Sequence, residues 1–302
     1  MANFTLKQMR YFEALAEQRH FGRAAEVCAI SQPALSVQIK ELEENLGQPL
    51  FERGARQVRL TSFGEAIALR IRDILRGTEE LTDFARASQD RLAGRFRIGV
   101  IPTIAPYLLP RLIGRLNDSH PGLDLHIRET LTPRLIQELA QGQLDTAILA
   151  LPVDEPTFTE VPLFSERFLL VRPENQKDEP APNAQDLSKM RLLLLEEGHC
   201  FRAQALAFCN TPATLPRNGL DGSSLSTLVQ MVGAGIGVTM IPEMAVPVET
   251  RSARVACVRF SGAQPGRTIG MIWRKSNPLA DDLHDIAKVV QGCGTVSGIN
   301  SL

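Results

Sequence analysis

The chain has 302 residues, 44% apolar and 22% charged, with a formal net charge of −1. That length accommodates two or three domains, and the balanced charge announces neither a globally basic nucleic-acid binder nor an acidic disordered chain. The opening residues lack a charged lead into an apolar core, and no uncharged apolar run reaches membrane-spanning length. A cytoplasmic protein without a membrane partner is therefore expected.

Residues 1–60 read as compact and helical, with Leu6, Met9, Tyr11, Phe12 and Leu15 largely on one face. A short helix around Ala24, Ala25, Val27 and Cys28 follows, then a three-residue turn. Ser31 stands where an N-cap belongs and Pro33 falls in the first turn of the next helix, where its missing N–H costs little. That helix carries Leu35, Ile39, Leu42 and Leu46 inward and stops at Gly47. Two helices joined this way form a helix-turn-helix, whose second helix enters the DNA major groove. The following "QPLFERGARQVRLTSFG" reads as a β-wing, with Arg53, Arg56 and Arg59 spaced for phosphate contacts. Charge alone does not argue for DNA, since residues 1–60 hold eight Lys/Arg against seven Asp/Glu.

From Ser62 to about Leu92 the pattern is one long helix, capped by Ser62 with Glu65 completing a capping box. Ile67, Ile71, Ile74, Thr78, Leu81, Ala85, Ser88 and Leu92 alternate steps of four and three, the seam of a dimerising linker. Beyond residue 95 the texture is α/β. Apolar runs at 96–101, 123–127, 144–151, 168–171, 192–195, 238–241 and 268–273 alternate with helical segments near 106–117, 132–142, 200–209, 223–234 and 279–291. Mostly parallel sheets in two lobes with a cleft between them are expected. The divisions are 1–61 (winged helix-turn-helix), 62–92 (linker) and 95–302, the last split into lobe I (95–164 and 267–302) and lobe II (165–266).

Five cysteines, at 28, 200, 209, 257 and 293, are odd in number and widely spread. None forms a C-x-x-C motif and the histidines are scattered, so neither a metal nor a cofactor is expected. In "LLLLEEGHCFRAQALAFC" (192–209) a buried strand hands over to a helix at Cys200, with Cys209 near the helix's far end. The pair reads either as two small core residues or as a redox couple.

The stretch "HFGRAAEVCAISQPALSVQIKELEENLGQPLFER…LTSFG" resembles the LysR-type transcriptional regulators, and the resemblance runs along essentially the whole chain. It implies a two-lobed effector domain like the periplasmic binding proteins behind the winged helix-turn-helix. Within that family "IGVIPTIAPYLLP" (98–110), "LLLEEGHCFRAQALAFC" (193–209) and "GRTIGMIWR" (266–274) are similar to the peroxide-sensing OxyR branch. By that resemblance Gln32, Pro33 and Ser36 face base edges, while Lys40 and the wing arginines hold the backbone of double-stranded DNA. It further implies that Cys200 is oxidised by hydrogen peroxide and resolved by Cys209 as a reversible disulfide. His199, Thr103, Thr132 and Arg267 surround the reacting thiolate in this reading. A homotetramer, contact with RNA polymerase and resetting by a cellular thiol belong to the same expectation.

Physical chemistry fits the couple. A helix N-terminus favours the thiolate that attacks peroxide. Nine residues of helix span about 13.5 Å, against the roughly 7 Å a disulfide tolerates between Cα atoms, so bonding requires the helix to unwind. Two features depart from the family pattern: Ala203, where an acidic residue is usual, and "RNGLDGSSLST" at 217–227. Two other readings stand beside this one. A small-molecule effector in the interlobe cleft would leave Cys200 a pocket residue, and a thiol peroxidase would have no use for residues 1–94.

Overall fold

The structure is a computed structural model that describes residues 4–52, 58–87, 94–187, 189–209 and 221–294. The chain divides into two compact units, Met1–Ala85 and Arg86–Leu302.

In the first unit, α1 (Leu6–Gln18) opens with a capping box between Thr5 and Gln8, and α2 (Phe21–Val27) is capped by the His20 ring. Ala29, in the left-handed region at φ 53°, turns the chain into α3 (Gln32–Leu46). Ser31 Oγ accepts from Ala34 N at 3.3 Å, and α3 ends at Gly47, whose φ of 76° suits a residue without a side chain. Leu35, Ile39 and Leu42 interlock with Phe12 and Leu15 of α1 and Ala24 and Ala25 of α2. Phe51 and Leu60 form an antiparallel bridge at the base of the wing. The wing's tip, with Arg53 and Arg56, lies outside the described residues.

The linker helix α4 (Ser62–Ala87) starts where expected, but its cap is Thr61. Thr61 Oγ1 accepts from Gly64 N at 2.9 Å and donates to Pro49 O at 2.8 Å, so one hydroxyl closes the helix and fastens it to the preceding loop. Ala68, Ile71 and Leu75 seal the core of this unit, whereas Leu69, Ile74 and Leu81 are left exposed.

The second unit is built on a seven-stranded sheet. Its elements are β1 (Gly94–Val100), α5 (Ala105–Ser119), β2 (Leu123–Glu129), α6 (Thr132–Ala140), β3 (Thr146–Leu151) and β4 (Phe158–Pro173). After these come α7 (Ala184–Leu187), β5 (Leu194–Leu195), α8 (Cys200–Phe208), β6 (Asp221–Gly222), α9 (Leu225–Gly233), β7 (Thr239–Pro242), α10 (Val246–Glu249), β8 (Val255–Val258), β9 (Gly266–Arg274) and α11 (Ala280–Gly294). The strand order is β2-β1-β3-β9-β4-β7, with β8 also on β4, and β5 and β6 pair separately.

The expectation of mostly parallel sheets is corrected. β1 pairs in parallel with β2 and β3, but β9 runs antiparallel to both β3 and β4, and β7 and β8 run antiparallel to β4. Fully buried antiparallel strands read in sequence as unbroken apolar runs, just as parallel ones do. Instead of a short strand at 168–171, β4 is sixteen residues long and serves two cores. Phe158 and Leu163 enter a core with Phe96, Ile98, Leu149, Ile272 and Trp273. Phe168–Val171 enter another with Phe201, Ala205, Cys209, Leu228 and Met240. Tyr107 of α5 packs against both, and its hydroxyl donates to Glu249 Oε1 at 2.7 Å.

Candidate functional site

On α3, Gln32, Pro33, Ser36 and Lys40 are all exposed; Pro33 and Lys40 lie roughly opposite the buried Leu35, Ile39 and Leu42, and Gln32 and Ser36 border Ile39. Lys40 Nζ lies 3.6 Å from Glu44 Oε1, with both side chains largely in solvent. Arg59 is exposed on the returning arm of the wing, and its carbonyl accepts from Glu52 N at 2.9 Å.

In the second unit, Cys200 is the first residue of α8 and half-buried against the core that contains β1 and β3. Cys209 is the C-cap of the same helix and buried in the other core. The intact helix holds them about 13.5 Å apart. No disulfide involves any of the five cysteines.

Two contacts bracket Cys200. On its N-terminal side Gly198 adopts φ 95°, and a Cβ there would lie 2.8 Å from Leu131 Cδ1. Only glycine lets this turn press against the start of α6, where Thr132 follows Leu131. On the other side the Phe201 ring meets Phe168 edge-on at 4.7 Å and lies 5.5 Å from the Arg267 guanidinium.

Arg267, buried on β9, is opposite Glu166 of β4 in the ladder, and its Nε donates to Glu166 Oε1 at 2.6 Å. Its Nη1 donates to Thr103 Oγ1 at 2.8 Å and its Nη2 to the Thr103 carbonyl at 3.3 Å. Glu166, Arg267 and Thr103 thus form one buried chain of charge-assisted bonds. Burial pushes the Glu166 carboxyl up, and the Arg267 charge pulls against it. Neither threonine is a helix cap. α5 has Ile104 and α6 has Leu131 at that position, each without a side-chain bond. Among the described residues Thr132 Oγ1 is buried with no hydrogen-bond partner, as are Glu166 Oε2 and Gln204 Oε1.

Sequence reasoning missed Glu166 and Gln204. Gln204 stands four residues after Cys200, on the same helical face, a spacing visible in the sequence. Glu166 carries no comparable signal, because its partner is 101 residues away. Ala203 is exposed on the outer side of α8. Of the segment 217–227, only the part from Asp221 onward lies within the described residues.

His199 precedes α8 with extended backbone (φ −78°, ψ 121°) and is half-buried. Burial lowers its pKa, opposed by Glu196, so the ring is neutral at pH 7 and donates through one nitrogen. Burial pushes the Cys209 thiol up to about 11. Its contribution to stability is fully present below the ordinary thiol value of about 8.5 and is lost as the pH rises through about 11. Wild-type stability should therefore fall by about 2–3 kcal/mol more than that of Cys209→Ala over that interval, measured by denaturant titration. Equal slopes would mean that the thiol is solvated.

Cys257 on β8 is likewise raised to about 11 by burial, Cys293 is on the buried face of α11, and Cys28 is the C-cap of α2. No helix among the described residues is long and apolar enough to cross a membrane.

Comparison with known proteins agrees with this division. Residues 6–65 match the bacterial regulatory helix-turn-helix protein, lysR family, and residues 89–291 match the LysR substrate binding domain. The chain is 39% identical over 291 residues to the DNA-binding transcriptional dual regulator OxyR of Escherichia coli strain K12, covering 95% of this chain and 94% of that one. A full-length OxyR variant from Pseudomonas aeruginosa superposes with a TM-score of 0.76 at 37% identity, covering 97% of each chain. A hydrogen-peroxide-bound OxyR mutant from Corynebacterium glutamicum gives 0.64 at 35% identity, over 96% of this chain and 92% of that one. With both of its parts matched and its likeness to these proteins nearly end to end, the chain belongs to the LysR family of bacterial regulators, among the OxyR proteins.

Proposed function

We propose that the chain is a DNA-binding transcription regulator that detects hydrogen peroxide through Cys200. The observation that carries this is the placing of Cys200 and Cys209 at opposite ends of α8, in two different cores, with the Arg267–Thr103 pair beside Phe201. The Cys200 thiolate attacks one peroxide oxygen; the S–O bond forms as the O–O bond breaks, and the departing hydroxide takes a proton. Thr103 and Thr132 hold the peroxide by hydrogen bonds, Arg267 stabilises the charge on the departing oxygen, and neutral His199 donates a further bond. Gln204 offers an acceptor to the peroxide O–H. The sulfenic acid so formed is attacked by the Cys209 thiolate, releasing hydroxide and leaving a disulfide. Two equivalents of a cellular thiol then return both residues to thiols.

On the DNA side, Gln32, Pro33 and Ser36 face base edges in the major groove, and Lys40, Arg53, Arg56 and Arg59 hold phosphates. Exposed Ile74 and Leu81, seven residues apart on one face, support dimerisation through α4. Pairing of effector domains into a tetramer would space half-sites by about 34 Å or a multiple. The division at 61/62 and beyond 92, with lobes meeting near 164/165 and 266/267, follows the same reading. Oxidation then shifts one DNA-binding pair against the other and changes access for RNA polymerase, in a reducing cytoplasm where the disulfide is transient.

The test is a non-reducing tryptic mass map after a brief stoichiometric peroxide pulse. Cleavage after Arg191, Arg202 and Arg217 puts Cys200 and Cys209 on separate peptides. Wild type should show their linked mass, and Cys200→Ser and Cys209→Ser should not. If all five cysteines persist as thiols, the redox reading fails and a cleft ligand takes its place.

A further inference from the structure

The outward side of α3 is mostly polar, and Val37 is its one exposed apolar residue beyond Pro33 and Ala34 of the first turn. At about 100° per residue, Pro33, Val37, Lys40 and Glu44 fall within about 60° of one another, with Ser36 beside Lys40 and Gln32 further round toward Ile39. This arc lies opposite the buried Leu35, Ile39 and Leu42. Around Val37 the polar groups are engaged with one another: Gln38 Nε2 donates to Glu41 Oε2 at 2.8 Å, and Lys40 pairs with Glu44. Val37 is 54% exposed and adds nothing to the core of its unit. A β-branched residue also lowers intrinsic helix stability, so helix formation does not favour valine here.

The major groove presents hydrogen-bonding groups at every base pair and a single apolar feature, the 5-methyl group of thymine. We infer that Val37 is a specificity-determining residue that packs against a thymine 5-methyl group in each half-site. This rests on the reading of α3 as the recognition helix. Gln32 and Ser36 supply polar contacts to bases, and Val37 supplies the apolar one, so an A·T pair at that position is distinguished from G·C and from its own inversion.

The test removes the methyl group from either side of the contact. The full-length reduced protein selects duplexes from a random library, and each thymine of a selected duplex is replaced in turn by deoxyuridine. At one thymine per half-site the replacement should weaken wild-type binding about fourfold, the effect of one buried methyl group. Val37→Ala, which loses the contact in every half-site at once, should bind the parent duplex about fourfold more weakly per half-site, about 16-fold for two, and show no further loss at that thymine. Val37 is exposed, so the variant folds. Equal losses in wild type and variant at every position, or no loss anywhere, would overturn the assignment. If no duplex is selected, the recognition-helix reading itself fails and the inference falls with it.

Discussion

The Arg267→Ala variant is expected to lose about 3–5 kcal/mol of stability and to react with hydrogen peroxide about 100-fold more slowly than wild type. The stability loss follows from what remains. Glu166 is 8% exposed and its charge is paired with Arg267, so removing the cation leaves a carboxylate without a counter-charge in the interior. The loss should shrink as the pH falls, because a Glu166 already raised by burial protonates more readily without its cation. The rate loss has a different origin, the missing charge beside the departing peroxide oxygen and the missing donor that orients Thr103. A second substitution separates the two. Arg267→Ala with Glu166→Ala removes the unpaired charge and should recover most of the stability, yet the rate of Cys200 oxidation should stay low. Stopped-flow oxidation and denaturant titration of the three proteins decide this. A double variant that regains both would make Arg267 purely structural.

Local features of the fold were legible because they depend on local spacing. Ser31, Pro33 and Gly47 bounded α3 correctly, and Leu35, Ile39 and Leu42 gave its buried face. The cap of α4 was misplaced by one residue because Thr61 and Ser62 carry the same hydroxyl. What selects Thr61 is its second bond, to Pro49 O, which no local pattern shows. Strand direction was not legible: β9 enters between β3 and β4 from the far end of the chain, and nothing in "TIGMIW" encodes antiparallel pairing. Within the candidate site, His199, Cys200 and Cys209 are close in sequence and legible together, whereas Gln204, on the same helix, carries no chemistry that singles it out. Thr103 and Arg267 came from the family resemblance, and their 2.8 Å contact spans 164 positions. Glu166 was invisible for the same reason, since a buried ion pair across a ladder leaves no periodic trace.

Oxidised wild type is expected to be cut by trypsin after Arg202 at least tenfold faster than the reduced protein, with the fragments parting only after reduction. In the reduced structure Arg202 lies within α8 and its Nη1 donates to Leu195 O at 2.8 Å and Asp221 Oδ1 at 3.1 Å, which ties the helix to β5 and β6. A helical, tethered bond is a poor protease substrate, and a Cys200–Cys209 disulfide is incompatible with that helix. The unwinding has a cost that can be placed on the redox scale. Phe201, Ala205, Leu206 and Cys209 are all under 9% exposed, and releasing them forfeits about 5–8 kcal/mol of apolar burial, less whatever the oxidised segment buries again. For a two-electron couple, about 30 mV corresponds to 1.4 kcal/mol, so that cost raises the reduction potential by roughly 100–170 mV. Starting from about −300 mV for an unstrained structural disulfide, the couple should lie at roughly −200 to −130 mV. That is above the extracted cytosolic glutathione poise of about −220 to −260 mV, so the bond forms under peroxide and is removed by the thiol pool once peroxide is gone. A glutathione titration followed by the linked tryptic mass measures the potential. A value near −300 mV, or unchanged cleavage after Arg202, would mean that the disulfide forms without dismantling α8, and that the helix is not the switch.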